Sequence, residues 1–464
     1  MRDIGLVILF AVLVLMMLRD AKSGAYAWAW LSIFNPHRMT YGFAYNVPFA
    51  HITAILTLIR FAMGKERKPF PWCSITAIHL MFLCWMGVTS IFAINTTEIV
   101  IDRVFWVGKI QIMFLLTLML VRGRADIEKL IWVVTLSVAF FGIKGGAFTV
   151  LTGGVDRVYG PPGGMLEENN AFAVAEVITV PLLYYLSRVT TRKWVRWGLY
   201  LSIALCAFSI LGSQSRGALL AVSVMTLMLG LKSRYPVRLT VLFCAAGLLA
   251  VSFMPQTWTE RMETMQAYNT ESSALSRLFT WNMIWNLAKD RPIVGAGFAT
   301  DNPDLYARYA SFEGKFSIFT PEHAWVAHSI YFQALGEHGF PGLFLFVGIG
   351  VATWVKASRL AKRARDDPEF GPWVPLLMKM VQVSLLGFAV GGAFLTMVHF
   401  DVPYYMIGYV VMVDATIKDR ERARSQRGNP LSVATARHSP AADAPALTLQ
   451  RGPTMGNAGR ATPS

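Results

Sequence analysis

The sequence predicts an all-α polytopic membrane protein with about twelve transmembrane helices, and three observations predict it. The 464-residue chain is 54% hydrophobic and only 15% charged, against roughly 25% charged in a soluble domain. Its apolar residues come in long runs, of which 99–121, 127–151 and 327–355 are each sufficient for a helix to cross a hydrocarbon core, a crossing that takes about 20 residues. Its Lys and Arg stand in short clusters between the runs, the pattern that orients helices in a bilayer. In lipid every backbone N–H and C=O needs an internal partner, which a helix supplies. The short alternating segments of a β-barrel are not found.

Twelve spans follow in order: 4–18, 47–63, 72–94, 99–121, 127–151, 169–187, 195–211, 217–231, 237–254, 327–355, 372–397 and 403–417. Residues 4–18 have the look of a signal-peptide core. Arg19, Asp20 and Lys22 follow them where a small-residue cleavage site would stand, so they count as the first span. The basic clusters are Lys65, Arg67 and Lys68; Arg122, Arg124 and Lys129; Arg188, Arg192, Lys193 and Arg196; Lys232, Arg234 and Arg238; Lys356, Arg359, Lys362, Arg363 and Arg365; and Lys418, Arg420, Arg422 and Arg424. Each cluster follows an even-numbered span, so all share one side, expected to be cytoplasmic together with both termini. Residues 19–46 are apolar and aromatic; they read as an interfacial or re-entrant segment with Trp28, Trp30 and Tyr41 at headgroup depth, broken by Pro36.

The expected organisation is an N-terminal membrane domain over 1–254 with about nine spans, an outer loop domain over 255–326 with amphipathic helices, C-terminal spans over 327–417 and a tail over 418–464. That tail is rich in Pro, Ala, Ser and Gly and is expected to be disordered. In the loop, Ser272 or Ser273 can cap a helix running through Arg277 to Leu287, and "RPIVGAGF" (291–298) reads as a turn. The net charge of +15 belongs to the topology clusters, so membrane lipids and not nucleic acid are the expected partners. Cys73, Cys84, Cys206 and Cys244 lie in or beside apolar spans with no zinc-like spacing and read as small hydrophobes.

Charges near a bilayer are costly unless paired or functional, which makes the outer ionisable residues the informative ones. Arg216 in "SQSRGALLA" sits between spans seven and eight, and reads either as a snorkelling anchor or as an anion clamp. Arg277 and Arg291 lie in the long loop. His328 opens span ten and can be a satisfied core residue or a general base. His338 follows on the same span, where Gly339 and Pro341 disturb the helix. His399 and Asp401 occupy the last outer turn, and Arg157 lies in the 152–168 loop. No outer Asp-x-Asp, carboxylate cluster or His/Glu metal spacing is visible, so no metal is expected. No nucleotide-binding loop is present either, so no cofactor is expected and the energy must reside in the substrate.

Three motifs together carry a resemblance. "AHSIYFQALGEHGFPGL" places Ser329, Phe332 and Gly339 after His328. "SQSRGALLA" contains a Ser/Arg-Gly pair, and "SRLFTWNMIW…DRPIVGAGF" combines Arg-x-x-x-Trp with Pro-x-x-Gly-x-Gly. In this order, and on one membrane side, they resemble the O-antigen ligase family, with Phe332 where Leu is usual. The N-terminal part is similar to a subgroup of exosortase-associated O-glycosylation ligases.

The resemblance implies a GT-C-type membrane glycosyltransferase of the bacterial inner membrane. It would move a glycan from undecaprenyl diphosphate to a lipid A-core acceptor at the periplasmic face, without metal and with inversion. The resemblance points to His328 as the general base and to Arg216, Arg277 and Arg291 as diphosphate contacts, with His338, His399, Asp401 and Arg157 as secondary candidates. A protein O-oligosaccharyltransferase or an O-antigen polymerase would use the same donor. A transporter would show charged residues in mid-span and inverted repeats, and neither is evident. An envelope scaffold would be indifferent to loss of His328.

Overall fold

In the computed structural model the described residues are 2–64, 68–231, 272–427 and scattered positions between 232 and 256. Among them the regular elements are all helical, as apolar runs with few Pro or Gly interruptions dictate. The helices are α1 (Arg2–Arg19), α2 (Ala21–Phe34), α3 (Phe49–Met63), α4 (Ser74–Ile91), α5 (Thr97–Leu120), α6 (Arg124–Thr152), α7 (Asn169–Val189), α8 (Lys193–Gly212) and α9 (Arg216–Leu231). After the long loop begins come α10 (Ser272–Asp290), α11 (Pro303–Tyr309), α12 (Ile330–Ala364), α13 (Val374–Gly391) and α14 (Asp401–Arg427). Among the described residues six helices are long and apolar enough to cross a membrane: α4, α6, α7, α8, α12 and α13, the last with its 3₁₀ extension to Phe394. The chain is thus a multi-pass membrane protein. Residues 1–416 form one compact unit, and the last turns of α14 belong to a second. The expected span 237–254, the loop stretch 257–271, Cys244 and the tail after 427 lie largely or wholly outside the described residues.

The helices of the first unit run between two faces. On the basic face Lys22 pairs with Asp126 at 3.0 Å, Arg60 donates to the carbonyls of Leu18 and Arg19, and the Gly123 amide donates to Thr416 Oγ1. On the opposite, loop face the amides of Gly42 and Ala44 donate to Asp3, and the Val158 amide donates to the Gly212 carbonyl. Ionisable Glu176 stands buried within α7, against Gly142 of α6 and beside Ser209 of α8. The expectation that spans carry no mid-helix charge is corrected there.

The reading of residues 19–46 is corrected as well. Asp20 caps α2 by accepting from the Lys22 amide, and a left-handed Asn35 ends it before Pro36 opens a 3₁₀ turn. Trp28 is buried inside the bundle, and only Tyr41 of the three aromatics stands out, at 89% exposure. Three antiparallel passes therefore precede Lys68 instead of two. Helix α1 begins on the loop face, beside Gly42 and Ala44, and ends on the face that carries Lys22 and Arg60. Fourteen residues reach only about 21 Å. Such a segment is too short to register as a span, and it packs against α1, α3 and α6.

One contact fixes the architecture around the loop face. Helix α12 is broken at Gly339, whose backbone is φ 67, ψ −172. A break frees backbone groups that cannot be left unpaired when buried. The loop segment 292–297 satisfies them: Ala296 N–H donates to Gly336 O at 2.8 Å, Gly297 N–H to Glu337 O at 2.9 Å, and Phe340 N–H to Pro292 O at 2.8 Å. Trp85 of α4 donates its indole N–H to His338 O at 2.8 Å. A Cβ on Gly339 would stand 2.2 Å from Ile293 O, and one on Gly295 2.5 Å from Gly336 O. Both backbones also have positive φ, so glycine is required on each side. Gly339→Ala is expected to lower stability by roughly 2–4 kcal/mol, read as a drop of several degrees in the melting midpoint in detergent. An unchanged midpoint would show that the close approach is not essential.

Candidate active site

His328 precedes Ser329, which caps α12 by accepting from the Phe332 amide. Its own backbone is left-handed, φ 44, a conformation that costs a β-carbon residue about 1–3 kcal/mol. Neighbours hold it there. The His328 amide donates to Thr396 Oγ1 at 2.8 Å. One residue earlier, Ala327 O accepts the Trp281 indole N–H at 2.8 Å, and the Trp281 ring stacks on Phe332 with 5.1 Å between centroids. The Arg-x-x-x-Trp spacing on α10 thereby acquires a mechanical meaning. Trp281 locks α10 to the residue before His328, and Arg277, one helical turn back, is delivered beside the imidazole. His328 is half-buried. Burial lowers its pKa from the ordinary 6.5, the Arg277 cation lowers it further, and Glu168 acts weakly in the other direction.

Arg277 opens onto a polar cavity of about 170 Å³ shared with Arg157 and Arg216. Two helix N-termini border it. Asn169 and Asn170 begin α7, and Ser215, Arg216 and Gly217 begin α9, where Ser215 Oγ accepts from the Ala218 amide. The Asn169 amide group donates to Ser213 O, tying the two helix starts together, and Arg157 Nε donates to Gln214 at 3.3 Å. The dipole ends of two helices add to the three guanidiniums, an arrangement that favours a negatively charged ligand. Leu395 and Phe394 line it as well, and they adjoin Thr396, which holds His328.

The structure brings Arg157, Arg216, Arg277 and His328 together and leaves Arg291 elsewhere. The Arg291 guanidinium donates to Phe92 O at the end of α4, where it serves the loop anchorage and not the cavity. His338, His399 and Asp401 are buried away from the arginines. Glu337 Oε2 stands 3.3 Å from His399 Nε2 and 3.7 Å from His338 Nε2, and His338 Nδ1 faces Thr89 Oγ1 at 2.8 Å. One donor atom from each of Glu337, His338 and His399 lies within 4.8 Å of the others. A His/Glu grouping of metal-site size therefore exists, contrary to the sequence reading; His399 is too distant in the chain for spacing to reveal it. Gln333 donates to Glu337 and accepts from the Val398 amide, so this cluster also pins the turn that holds Thr396.

The sequence reading missed Glu168, Asn169, Asn170 and Gln214. The run "EENN" at the head of a span was the available signal. An apolar groove of about 300 Å³ between α12, α13 and α14 begins at Ile330 and Tyr331, next to His328.

Two family models match the chain. The one described as O-Antigen ligase covers residues 173–347, which include Arg216, Arg277 and His328. A family of unknown function covers residues 1–191. No curated protein matches the chain. Because His328 is held neutral by burial and Arg277, its reaction with diethyl pyrocarbonate, followed by peptide mass mapping, is expected to titrate with a midpoint below 6.5. Arg277→Gln should move that midpoint upward. A midpoint at or above 6.5 in the wild type would contradict the electrostatic reading.

Proposed function

The chain belongs to the O-antigen ligase family, and on that premise we propose that it transfers a glycan from undecaprenyl diphosphate to a lipid A-core acceptor. The protein would be a GT-C-type bundle of about twelve crossings in the bacterial inner membrane, working at the periplasmic face. The observation that carries the reading is the cavity in which three arginines and two helix N-termini converge beside His328. A lipid diphosphate is already a good leaving group, and its departure develops negative charge on the bridging oxygen. Arg157, Arg216 and Arg277 meet that charge with fixed donors, an arrangement in which one donor can be worth about 10²–10³ in rate. The isoprenoid chain fits the apolar groove that starts at Ile330 and Tyr331.

In the proposed step the acceptor hydroxyl oxygen attacks the anomeric carbon while neutral His328 takes its proton. The bond from that carbon to the diphosphate oxygen breaks, and the electron pair leaves with undecaprenyl diphosphate. A single displacement inverts the anomeric centre. General-base assistance of this kind contributes about 10²–10⁴ in rate. The positive charge gained by His328 beside Arg277 is unfavourable in the resting enzyme and is offset once the anionic leaving group occupies the cavity.

The test is transfer by the purified protein in detergent, with undecaprenyl-diphosphate glycan and either lipid A-core or a Ser/Thr-rich protein as acceptor, EDTA present. Transfer to lipid A-core that persists in EDTA, inverts the linkage, and falls by at least about 10² in His328→Ala is the expected result. Transfer to protein alone would reassign the acceptor to protein O-glycosylation. A His328→Ala variant as active as wild type, or a retained anomeric configuration, would overturn the mechanism.

A further inference from the structure

A second and larger cavity opens on the loop face, about 430 Å³ in volume. Its walls come from four separated stretches: residues 28–51 from α2 to the start of α3, the flank of α5 at 106–110, the loop 161–166, and Phe400 with Asp401. The lining has a definite chemistry. Trp28, Tyr45 and Trp106 contribute rings, Arg38 and Lys109 contribute cations, and Asp401 is the one carboxylate among the described lining residues. The Arg38 guanidinium lies over the Tyr45 ring, 4.6 Å from its centroid. Its Nε and the neighbouring His37 Nδ1 are buried and have no hydrogen-bond partner among the described residues. Lys109 Nζ stands 2.9 Å from His51 Nε2. A buried donor without a partner, as Arg38 Nε is, carries a desolvation cost that a bound acceptor atom relieves.

The cavity is also placed where a second substrate is needed. The loop that supplies Arg157, Asn169 and Asn170 to the arginine cavity supplies Pro161, Gly164 and Leu166 to this one. The turn that gives Phe394 and Leu395 to the first gives Phe400 and Asp401 to the second. Thr396, which holds the His328 amide, lies on that turn between the two. The Arg38 stem touches the shared loop, since a Cβ on Gly163 would be 3.0 Å from Arg38 Cδ.

We propose that this cavity is the acceptor subsite and takes a saccharide carrying a phosphate or carboxylate group. Aromatic faces accept the C–H face of a pyranose, and Arg38 and Lys109 engage its anionic substituent. The inference rests on the transfer reading above and assigns a task to residues 35–51, within the region that matches a family of unknown function.

The test separates the two. Binding to the full-length protein in nanodiscs is measured by intrinsic Trp fluorescence with a phosphorylated core oligosaccharide and with its dephosphorylated twin. Wild type is expected to bind the phosphorylated form at least about tenfold more tightly, an increment of about 1.4 kcal/mol. The Arg38→Ala/Lys109→Ala double variant should lose that preference, with undecaprenyl-diphosphate binding unchanged, and Arg38→Lys should retain part of it. Equal binding of the two oligosaccharides by wild type, no binding of either, or a preference that survives the double variant would each overturn the subsite. The wild-type comparison stands even if the double variant does not fold. None of these readouts depends on turnover, so a failed transfer assay would leave the subsite to be judged on its own.

Discussion

The loop face is organised by the pairing of a broken helix with a glycine-containing loop. Helix α12 cannot continue through Gly339, and the freed carbonyls and amide of residues 336–340 must find partners in a buried setting. The segment Pro292–Gly297 provides them, and only glycines permit the approach. From this pairing the other placements follow. The same segment is tied to α4 through the Ile94 amide on Ala296 O, and Asn95 donates to the carbonyls of Phe298 and Ala299. The upper half of α12 is thereby fixed relative to α4, α10 and the loop core of Phe279, Tyr306 and Phe316. His328, at the head of that half-helix, inherits the rigidity.

A second constraint is electrostatic. Arg157, Arg216 and Arg277 come from three elements and share one small polar cavity. Helix N-termini and guanidiniums both favour a negatively charged ligand. Among the described residues no carboxylate lines that cavity, and Glu168 raises the His328 pKa less than Arg277 lowers it. In the proposed reaction a bound diphosphate would neutralise this charge, which would couple donor binding to the protonation of His328. Burial and the Arg277 cation disfavour positive charge on the His328 imidazole, and an anion in the cavity would oppose both effects.

The sequence disclosed the fold class because a helix in lipid has no alternative, and long apolar runs with basic punctuation can be counted directly. Short motifs singled out His328, Arg216 and Arg277, and the fold brings Arg216 and Arg277 to one cavity with Arg277 beside His328. It did not disclose what depends on distant residues meeting. Arg157 looked like an ordinary loop charge until Gln214 and Arg216 came to it. Glu337, His338 and His399 had no spacing to betray them. Arg291 was drawn in by its position in the Pro-x-x-Gly-x-Gly motif, although its side chain serves the α4 terminus. Residues 21–34 read as interfacial because fourteen residues are short for a crossing and Pro36 follows them, whereas they form a helix packed against α3 and α6.

The central claim is that the arginine cavity beside His328 holds the donor diphosphate. The most direct measurement is an experimental structure of the protein with undecaprenyl diphosphate bound. The account predicts the diphosphate between Arg157, Arg216 and Arg277, with the isoprenoid chain entering the groove below Ile330 and Tyr331. A diphosphate resting on Arg38 and Lys109, or on neither set, would contradict it.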